Sequence, residues 1–411
     1  MSARAAFLVV SFSLGQVGDG LNIFQGIYLV GIGWNEGSVG AALSLMGFTS
    51  LLVQPFAGNL IDVTPVDRRL FLAVAALVTA FSASAVLFVR EGNTDHVMMF
   101  LTKIVEGVAS SFIAPCLAAL TLATFGPDHF DAVMASNILW GHIGTSVAAI
   151  LAGVVAFVLY PDIEFCFLVI GMSALLAVFF TKYLPQGDQL MGRGFQGENC
   201  LDEEGHKERI EKREAELAAN KTPEAASYRE VFLSKETILL CLTGFFFQQV
   251  YSTLGKLSLF SDIFSHALSL CCSFANANVL LVLGELMGGD DDGGVRQSAI
   301  PLTASAIVLA QLTMAIATWL GDRLTVRGTG RKPLFLAGLL TLPFRCALII
   351  LWKDAGDAFL LSTQILDGVG GGLFGLIHPF LVADITFGTG RFNVLSKFSL
   401  LNGGSHSLKH L

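Results

Sequence analysis

The chain has 411 residues, of which 53% are hydrophobic and 14% are charged, and its formal net charge is −8. Soluble domains carry about 25% charged residues, so a globular protein in water is excluded and the chain is predicted to lie in a lipid bilayer. Nucleic-acid binding is disfavoured because the basic residues fall in short loops and form no continuous stripe. The seven cysteines are scattered, mostly through apolar segments, and are interpreted as small apolar fillers.

Apolar segments follow one another along the chain, and most reach the roughly 20 residues that a membrane-spanning helix needs. Spans are predicted at 5–32, 38–61, 70–89, 97–124, 133–159 and 164–184. Further apolar segments lie at 237–263, 266–287, 299–320, 333–352 and 358–385, and an incomplete one begins at 394. Because lipid offers the backbone no hydrogen-bond partners, these patterns predict an all-α integral membrane protein. The first segment is interrupted by polar residues and lacks a cleavage site, so it is interpreted as a retained span, not a signal peptide.

A polar stretch at 185–235 separates the two groups of spans. Part of it, "DEEGHKERIEKREAELAAN" (202–220), predicts a solvated helix because Glu and Lys or Arg recur three and four positions apart. Lys and Arg concentrate in this stretch and in the loops that follow Asp62 and Asp322, whereas the turn "YPDIEF" (160–165) has none. The positive-inside rule therefore predicts that the N-terminus and the central stretch are cytoplasmic. It does not assign the membrane.

The second group of spans conflicts with this orientation. The central stretch and the loop at 321–332 are both basic, so an even number of crossings has to separate them, yet three apolar segments lie between. Residues 248–272 have no counterpart in the first half and are interpreted as an insertion, such as a translated intron; a re-entrant or amphipathic segment is the alternative. The predicted domains are a six-span bundle at 1–184, a cytoplasmic linker at 185–235 and a second, incomplete bundle at 236–411.

An internal repeat links the two halves. The stretch "GNLIDVTPVDRRLFLAVA" (58–75) has the same order of acid, turn, basic residues and Leu-Phe-Leu-Ala as "GDRLTVRGTGRKPLFLAG" (321–338). Glu106-Gly107-Val108 likewise corresponds to Asp367-Gly368-Val369, and "GPDHFD" (126–131) corresponds to "GTGRFN" (388–393). These correspondences share nearly one offset, and a repeat with an even number of spans has the same orientation in both copies. The sequence therefore predicts a parallel pseudo-repeat of two six-helix bundles.

With these motifs the chain resembles the major facilitator superfamily. The most specific element is the acid-turn-base loop and its copy, although the first copy lacks the family's Gly after the first basic residue and the second copy is longer. The turn "VADITFGTGRFN" (382–393) resembles a branch of the same family. The resemblance implies that these loops tie the ends of the bundles together and bias inward-open against outward-open forms; the alternative is that their charges only set topology. The predicted gating residues are Gly58, Asp62, Arg68, Arg69, Asp322, Arg323, Arg331, Lys332, Asp384 and Arg391.

Polar residues inside spans are costly in lipid and usually mark a pathway. The residues predicted to line a substrate or proton pathway are Asp19, Asn22, Gln25, Glu106, Asn137, Trp140, Asn278, Gln364, Asp367 and His378. Two of them also have a plainer interpretation: Asp19 as a neutral or helix-paired acid, and His378 as a packed, hydrogen-bonded residue. Lys103 either pairs with Glu106 three positions away or extends to the membrane interface. The glycines at 370–372 indicate close helix packing beside this polar face.

The resemblance implies a secondary active transporter that moves a small solute by alternating access, and the acidic residues Asp19, Glu106 and Asp367 indicate proton coupling. The alternatives are a passive facilitator, a non-transporting sensor or scaffold of the same fold, or a truncated copy, because only 18 residues follow Asn393 and ten or eleven spans are present. No P-loop spacing, catalytic triad or zinc motif occurs, so no ATP-driven transport, enzyme activity, cofactor or metal is expected. The expected partners are the solute, protons and lipid, and the chain is expected to be a monomer.

Overall fold

The structure, a computed structural model, describes residues 1–17, 22–64, 66–92, 94–195, 225, 231, 235, 237–240, 299–352, 356–387 and 389–395. Regular structure in these ranges is helical. The first half contains α1 (Ala3–Val17), α2 (Asn22–Gly31), α3 (Glu36–Val63), α4 (Arg68–Ser84), α5 (His96–Phe125), α6 (Pro127–Val158) and α7 (Phe167–Thr181). The second half contains α8 (Ala299–Val326), α9 (Arg331–Leu351), α10 (Asp357–Thr386) and α11 (Phe392–Leu395). Short 3-10 turns follow α4 (Ala85–Phe88), precede α7 (Ile163–Cys166) and form Met191–Arg193.

Local sequence explains where several helices begin. Asn35, Asp67 and Asp95 precede α3, α4 and α5, and each side chain accepts a hydrogen bond from a backbone N–H of the first turn. Pro127 occupies the start of α6, where its missing N–H costs nothing, and Gly126 before it has a φ of 74°. The start of the fifth predicted span was placed too late, because α6 begins at Pro127, six residues before the predicted position 133.

The helix bounds repeat along the chain. Both ends of α8 lie 263 positions after the ends of α3, and α9 begins and ends 263 positions after Arg68 and Phe88, the limits of α4 with its 3-10 turn. Both ends of α10 lie 261 positions after those of α5. Three consecutive helices thus have partners of equal length in the other half. The predicted pseudo-repeat is confirmed at the level of elements.

Seven of the described helices are long and apolar enough to cross a membrane. Their outward faces carry large apolar side chains such as Phe81 and Met172, which are 75% and 72% exposed. Side chains of this kind are stable outside a protein core when lipid surrounds them. Both α1 and α2 lie within the first predicted span, 5–32, and residues 18–21 between them are outside the described residues. The predicted segments at 237–263 and 266–287, with the suspected insertion at 248–272, also lie outside them except for residues 237–240.

The described helices form two packed groups, and the groups contact each other at two places. Within the first half α1 packs on α6 and α7, and α5 packs on α3 and α4; within the second half α10 packs on α8 and α9. Close approach of α1 and α6 depends on glycine, because a Cβ at Gly144 would overlap the backbone of Phe12. Thr145 Oγ1 donates to the carbonyl of Gly15 at 2.7 Å across the same contact. Between the halves α6 packs on α8, and α11 packs on α3.

Candidate functional site

The end of the molecule that carries the α3–α4 and α8–α9 loops is called the basic end here, and one polar contact joins its two halves at Asp62. The side chain of Asp62, near the end of α3, accepts a hydrogen bond from Asn393 Nδ2 at 2.6 Å. The same amide nitrogen donates to the carbonyl of Gly192 at 3.1 Å. The side chains of Asp62 and Asn393 are both buried. The predicted gating residue Asp62 therefore contacts the other half directly.

Residues 185–195 form a third component of the basic end, a segment that the sequence interpretation treated only as the start of a charged linker. Arg68 donates through Nη2 to the carbonyl of Gln189 at 3.0 Å, and a Cβ at Gly192 would overlap the Arg68 guanidinium. On the other side, Phe195 is buried and packs against Gly390. The segment is thus held between the α4 start of one half and the α10–α11 turn of the other.

Arg69 holds the same segment by a separate set of bonds within the first half. It donates through Nη1 to the carbonyl of Leu184 at 3.0 Å and through Nε to Asp67 Oδ2 at 2.8 Å. Gln186 donates to the same carboxylate oxygen at 2.9 Å. Partial burial would raise the pKa of Asp67, but the hydrogen bonds from Arg69 and Gln186 outweigh it, and the pKa is lowered. Asp67 therefore stays ionised while it caps α4.

A second polar contact between the halves is centred on Arg331, the first residue of α9. Arg331 donates through Nη1 to Asp384 Oδ1 at 2.5 Å and to the carbonyl of Phe380 at 3.3 Å, both on α10. Its Nη2 pairs with Asp131, which lies near the start of α6 in the first half. Asp131 was not among the predicted residues. A signal existed, because Asp131 and Asn393 occupy matching places in the repeated "GPDHFD" and "GTGRFN" turns.

The remaining predicted gating residues lie at the same end with different surroundings. Arg391 donates to Asn59 Oδ1 at 3.4 Å and so adds another bond between the halves. Arg323 stays on its own helix, with its guanidinium carbon 4.5 Å from the centre of the Trp319 ring, and Asp322 precedes it. Lys332 is exposed and Gly58 is buried one turn before Asp62.

Inside the first half, the predicted pathway residues Gln25 and Glu106 form one buried cluster with Lys103. Lys103 Nζ donates to Glu106 Oε2 at 2.7 Å, and Gln25 Nε2 donates to Glu106 Oε1 at 3.2 Å. Lys103 is fully buried, so the structure supports its pairing with Glu106 and not its extension to the interface. Both carboxylate oxygens of Glu106 are thus engaged by donors from α2 and α5.

Inside the second half, Asp367 forms the corresponding ion pair with a different helix. Arg345 Nη1 on α9 donates to Asp367 Oδ1 on α10 at 2.9 Å, and both side chains are buried. Gln364 is also fully buried, one turn before Asp367. His378 lies further along α10, stacked on Phe374 at 5.4 Å between ring centres. Arg345 was missed, although a lone Arg in the apolar run "TLPFRCALII" (341–350) is a recognisable signal.

Two residues of α6, Asn137 and Trp140, were predicted to line the pathway, and a third polar residue of this helix, His142, was not among the predicted ones. Asn137 Nδ2 donates to Thr121 Oγ1 of α5 at 3.1 Å, and Trp140 lies edge-on to Phe12 of α1 at 6.3 Å. His142 Nδ1 is 2.8 Å from Gln311 Oε1 of α8, which makes it a polar contact between the halves. Asp19 and Asn278 lie outside the described residues. Asn22 begins α2, but its side chain is not described.

The comparisons with known proteins agree on one family. The family model described as Major Facilitator Superfamily matches residues 6–288 of this chain. An uncharacterized MFS-type transporter of Mycobacterium tuberculosis, found in strains CDC 1551 / Oshkosh and ATCC 25618 / H37Rv, is 31% identical over 396 residues, which are 95% of this chain and 80% of that protein. The chain belongs to the major facilitator superfamily.

A solved structure supports the fold of this superfamily member. The proton:xylose symporter XylE, bound to 6-bromo-6-deoxy-D-glucose, superposes with a TM-score of 0.60 at 14% identity, over 96% of this chain and 86% of that chain. At this identity the likeness establishes the fold alone. The chain is therefore a multi-pass membrane protein of a transporter family, built as two helix bundles in a pseudo-repeat.

Proposed function

We propose that this superfamily member is a secondary active transporter that moves a small solute by alternating access. The observation that carries the proposal is the set of polar bonds between the halves at the basic end, Asn393 to Asp62 and Arg331 to Asp131. Arg331 and its two acidic partners are roughly one-quarter to one-third exposed, and ion pairs of such exposure contribute about 1 kcal/mol or less. Bonds of this size hold one end closed without making its opening prohibitive.

Proton coupling is the second part of the proposal. Glu106 and Asp367 occupy equivalent positions in the repeat, and each is buried in an ion pair. A proton taken up by either carboxylate would cancel its charge and weaken its bond to the cation, which couples protonation to the local packing of α5 or α10. A passive facilitator would need no such change, and the two pairs would then serve only to compensate buried charge.

The basic end is proposed to face the cytoplasm, because Arg68, Arg69, Arg327, Arg331 and Lys332 all lie there and positive charge is retained on that side. The solute is proposed to pass between the bundles, near the buried polar residues of α5 and α10. Gating would then consist of breaking the basic-end bonds while the α6–α8 contact rearranges.

Opening of the basic end is tested by the distance between its two loops. Spin labels at Val66 and Val326, one in each half, are measured by pulsed electron resonance in lipid nanodiscs. We expect a short and a long distance, with Arg331→Gln shifting the population toward the long one because it removes both ion pairs. Arg327→Gln is the matched control, since Arg327 is exposed in the same loop. A single distance that Arg331→Gln leaves unchanged would contradict alternating access.

Coupling is tested in proteoliposomes that contain a pH-sensitive dye. A panel of sugars, organic acids, amines and amino acids is added outside, and we expect at least one to move protons across the membrane in the wild type. Glu106→Gln or Asp367→Asn should abolish proton movement. Solute uptake that is indifferent to a pH gradient would instead establish a passive facilitator, and absence of any uptake would favour a sensor or scaffold.

A further inference from the structure

Each half has a buried acid at the equivalent position of the repeat, but the cation that pairs with it comes from a different position. Glu106 and Asp367 are 261 positions apart, and so are Lys103 and Gln364 on the same helices. In the first half the cation, Lys103, lies on α5 together with Glu106. In the second half the equivalent position on α10 is occupied by Gln364, which is neutral. The cation there is Arg345 on α9, whose equivalent 263 positions earlier is Ser82 on α4. The charge balance is preserved, but its geometry differs.

The bond from Arg345 to Asp367 uses only part of the guanidinium group. Only Nη1 donates to Asp367, and in the described part of the chain Nε and Nη2 have no hydrogen-bond partner although the side chain is 2% exposed. Nη1 lies on the same side of the guanidinium as Cδ, so Nε and Nη2 share the opposite edge. That edge presents two nearly parallel N–H groups, which is the arrangement that a carboxylate accepts bidentately.

Gln364, three residues before Asp367 on α10, adds a second set of unused polar atoms. It is fully buried, and neither its amide oxygen nor its amide nitrogen has a hydrogen-bond partner among the described residues. Burial of an unsatisfied polar group costs about 1–3 kcal/mol, so four such atoms on adjoining helices indicate a site that is completed by something other than these side chains. By contrast, both oxygens of Glu106 in the first half are already engaged.

We propose that Arg345 and Gln364 form a binding subsite for the carboxylate group of the transported solute. The solute's two oxygens accept from Nε–H and Nη2–H of Arg345, and the Gln364 amide bonds to a polar group next to the carboxylate. Asp367 keeps its bond to Nη1 and positions the guanidinium, since the two bonds use different parts of it. This inference rests on the proposed transport function and names the chemical class of its substrate.

The test is thermal unfolding of the purified full chain in detergent. The probes are acetate, lactate, succinate, citrate and benzoate, each compared with its neutral amide. We expect at least one carboxylate to raise the midpoint by about 2 °C or more at saturating concentration, and its amide to have no effect. The shift should disappear in Arg345→Lys, which keeps the charge but loses the two-pronged edge.

Two further variants separate loss of the subsite from loss of folding. The double variant Arg345→Ser with Gln364→Lys copies the arrangement of the first half, so the acid keeps a cation; it should fold and show no carboxylate shift. Arg90→Gln, at an exposed site between α4 and α5, should keep the full shift. A carboxylate shift that survives in the double variant overturns the proposal, as does a wild type that no carboxylate in the panel stabilises.

The two proposals fail in different ways. A chain that transports only neutral solutes would retain the proposed function and remove the carboxylate subsite. A chain whose basic end never opens in the spin-label experiment would remove the transport function, whatever the melting data show.

Discussion

At the scale of single residues, the main finding is that charged residues inside the membrane spans form buried ion pairs. Lys103 and Glu106 are three apart on one helix, so their spacing indicated a possible pair, and the burial of Lys103 in the structure decided between pairing and extension to the interface. The pair of Arg345 with Asp367 joins two helices, and no sequence pattern specifies which faces of α9 and α10 meet. The bonds of Asn393 and Arg331 depend on contact between the halves and were equally beyond prediction. Sequence therefore indicated Asp62, Glu106 and Asp367 but not Asp131, and the fold determined their partners.

Lys103→Gln tests the first-half pair. It leaves Glu106 buried without its cation, and breaking a buried pair costs about 3–5 kcal/mol, so a clear fall in the thermal midpoint is expected. Lys103→Gln with Glu106→Gln removes both charges and should recover most of the loss. Lys182→Gln, at an exposed position after α7, is the matched control. The interpretation fails if Lys103→Gln is as stable as the wild type, or if the double variant is less stable than the single one.

At the scale of elements, hydrophobic length predicted most spans to within a few residues, because a helix in lipid has to bridge a fixed thickness. The packed segment at 185–195 was not predicted, because its polar composition resembles that of any loop. Glycines carried more information: those at 370–372 indicated close packing, and a Cβ at Gly372 would indeed overlap the Met314 backbone of α8.

Gly368→Ala tests the packing of α10 on α8. The added Cβ would lie 2.6 Å from the Ala310 carbonyl oxygen, so the helices have to separate and stability should fall by about 1–3 kcal/mol. Gly107→Ala, at the equivalent position of α5, should have a similar effect against α3. Gly171→Ala in α7 is the control, since its Cβ would meet nothing within 4 Å. The thermal midpoint in detergent reports the three changes, and equal midpoints for all three would contradict the packing.

At the scale of the whole molecule, the repeat is the feature on which orientation, gating and the candidate substrate site all depend. Sequence landmarks predicted it, and the matching bounds of α3 with α8 and α5 with α10 confirm it in the elements. The number of spans between 241 and 298 could not be resolved from apolar length, because an apolar segment that crosses and one that does not have the same composition. The predicted insertion at 248–272 stays a prediction.

The most direct test of this account is the sidedness of the two repeated loops. Single cysteines at Val66 and Val326, in a background without the seven native cysteines, are labelled in intact cells by a maleimide that does not cross membranes. Glu91→Cys and Asp162→Cys report the opposite end. We predict that Val66→Cys and Val326→Cys are both protected until the membrane is permeabilised, while the other two label at once. Labelling of Val66→Cys and Val326→Cys from opposite sides of the bilayer would contradict two like-oriented bundles.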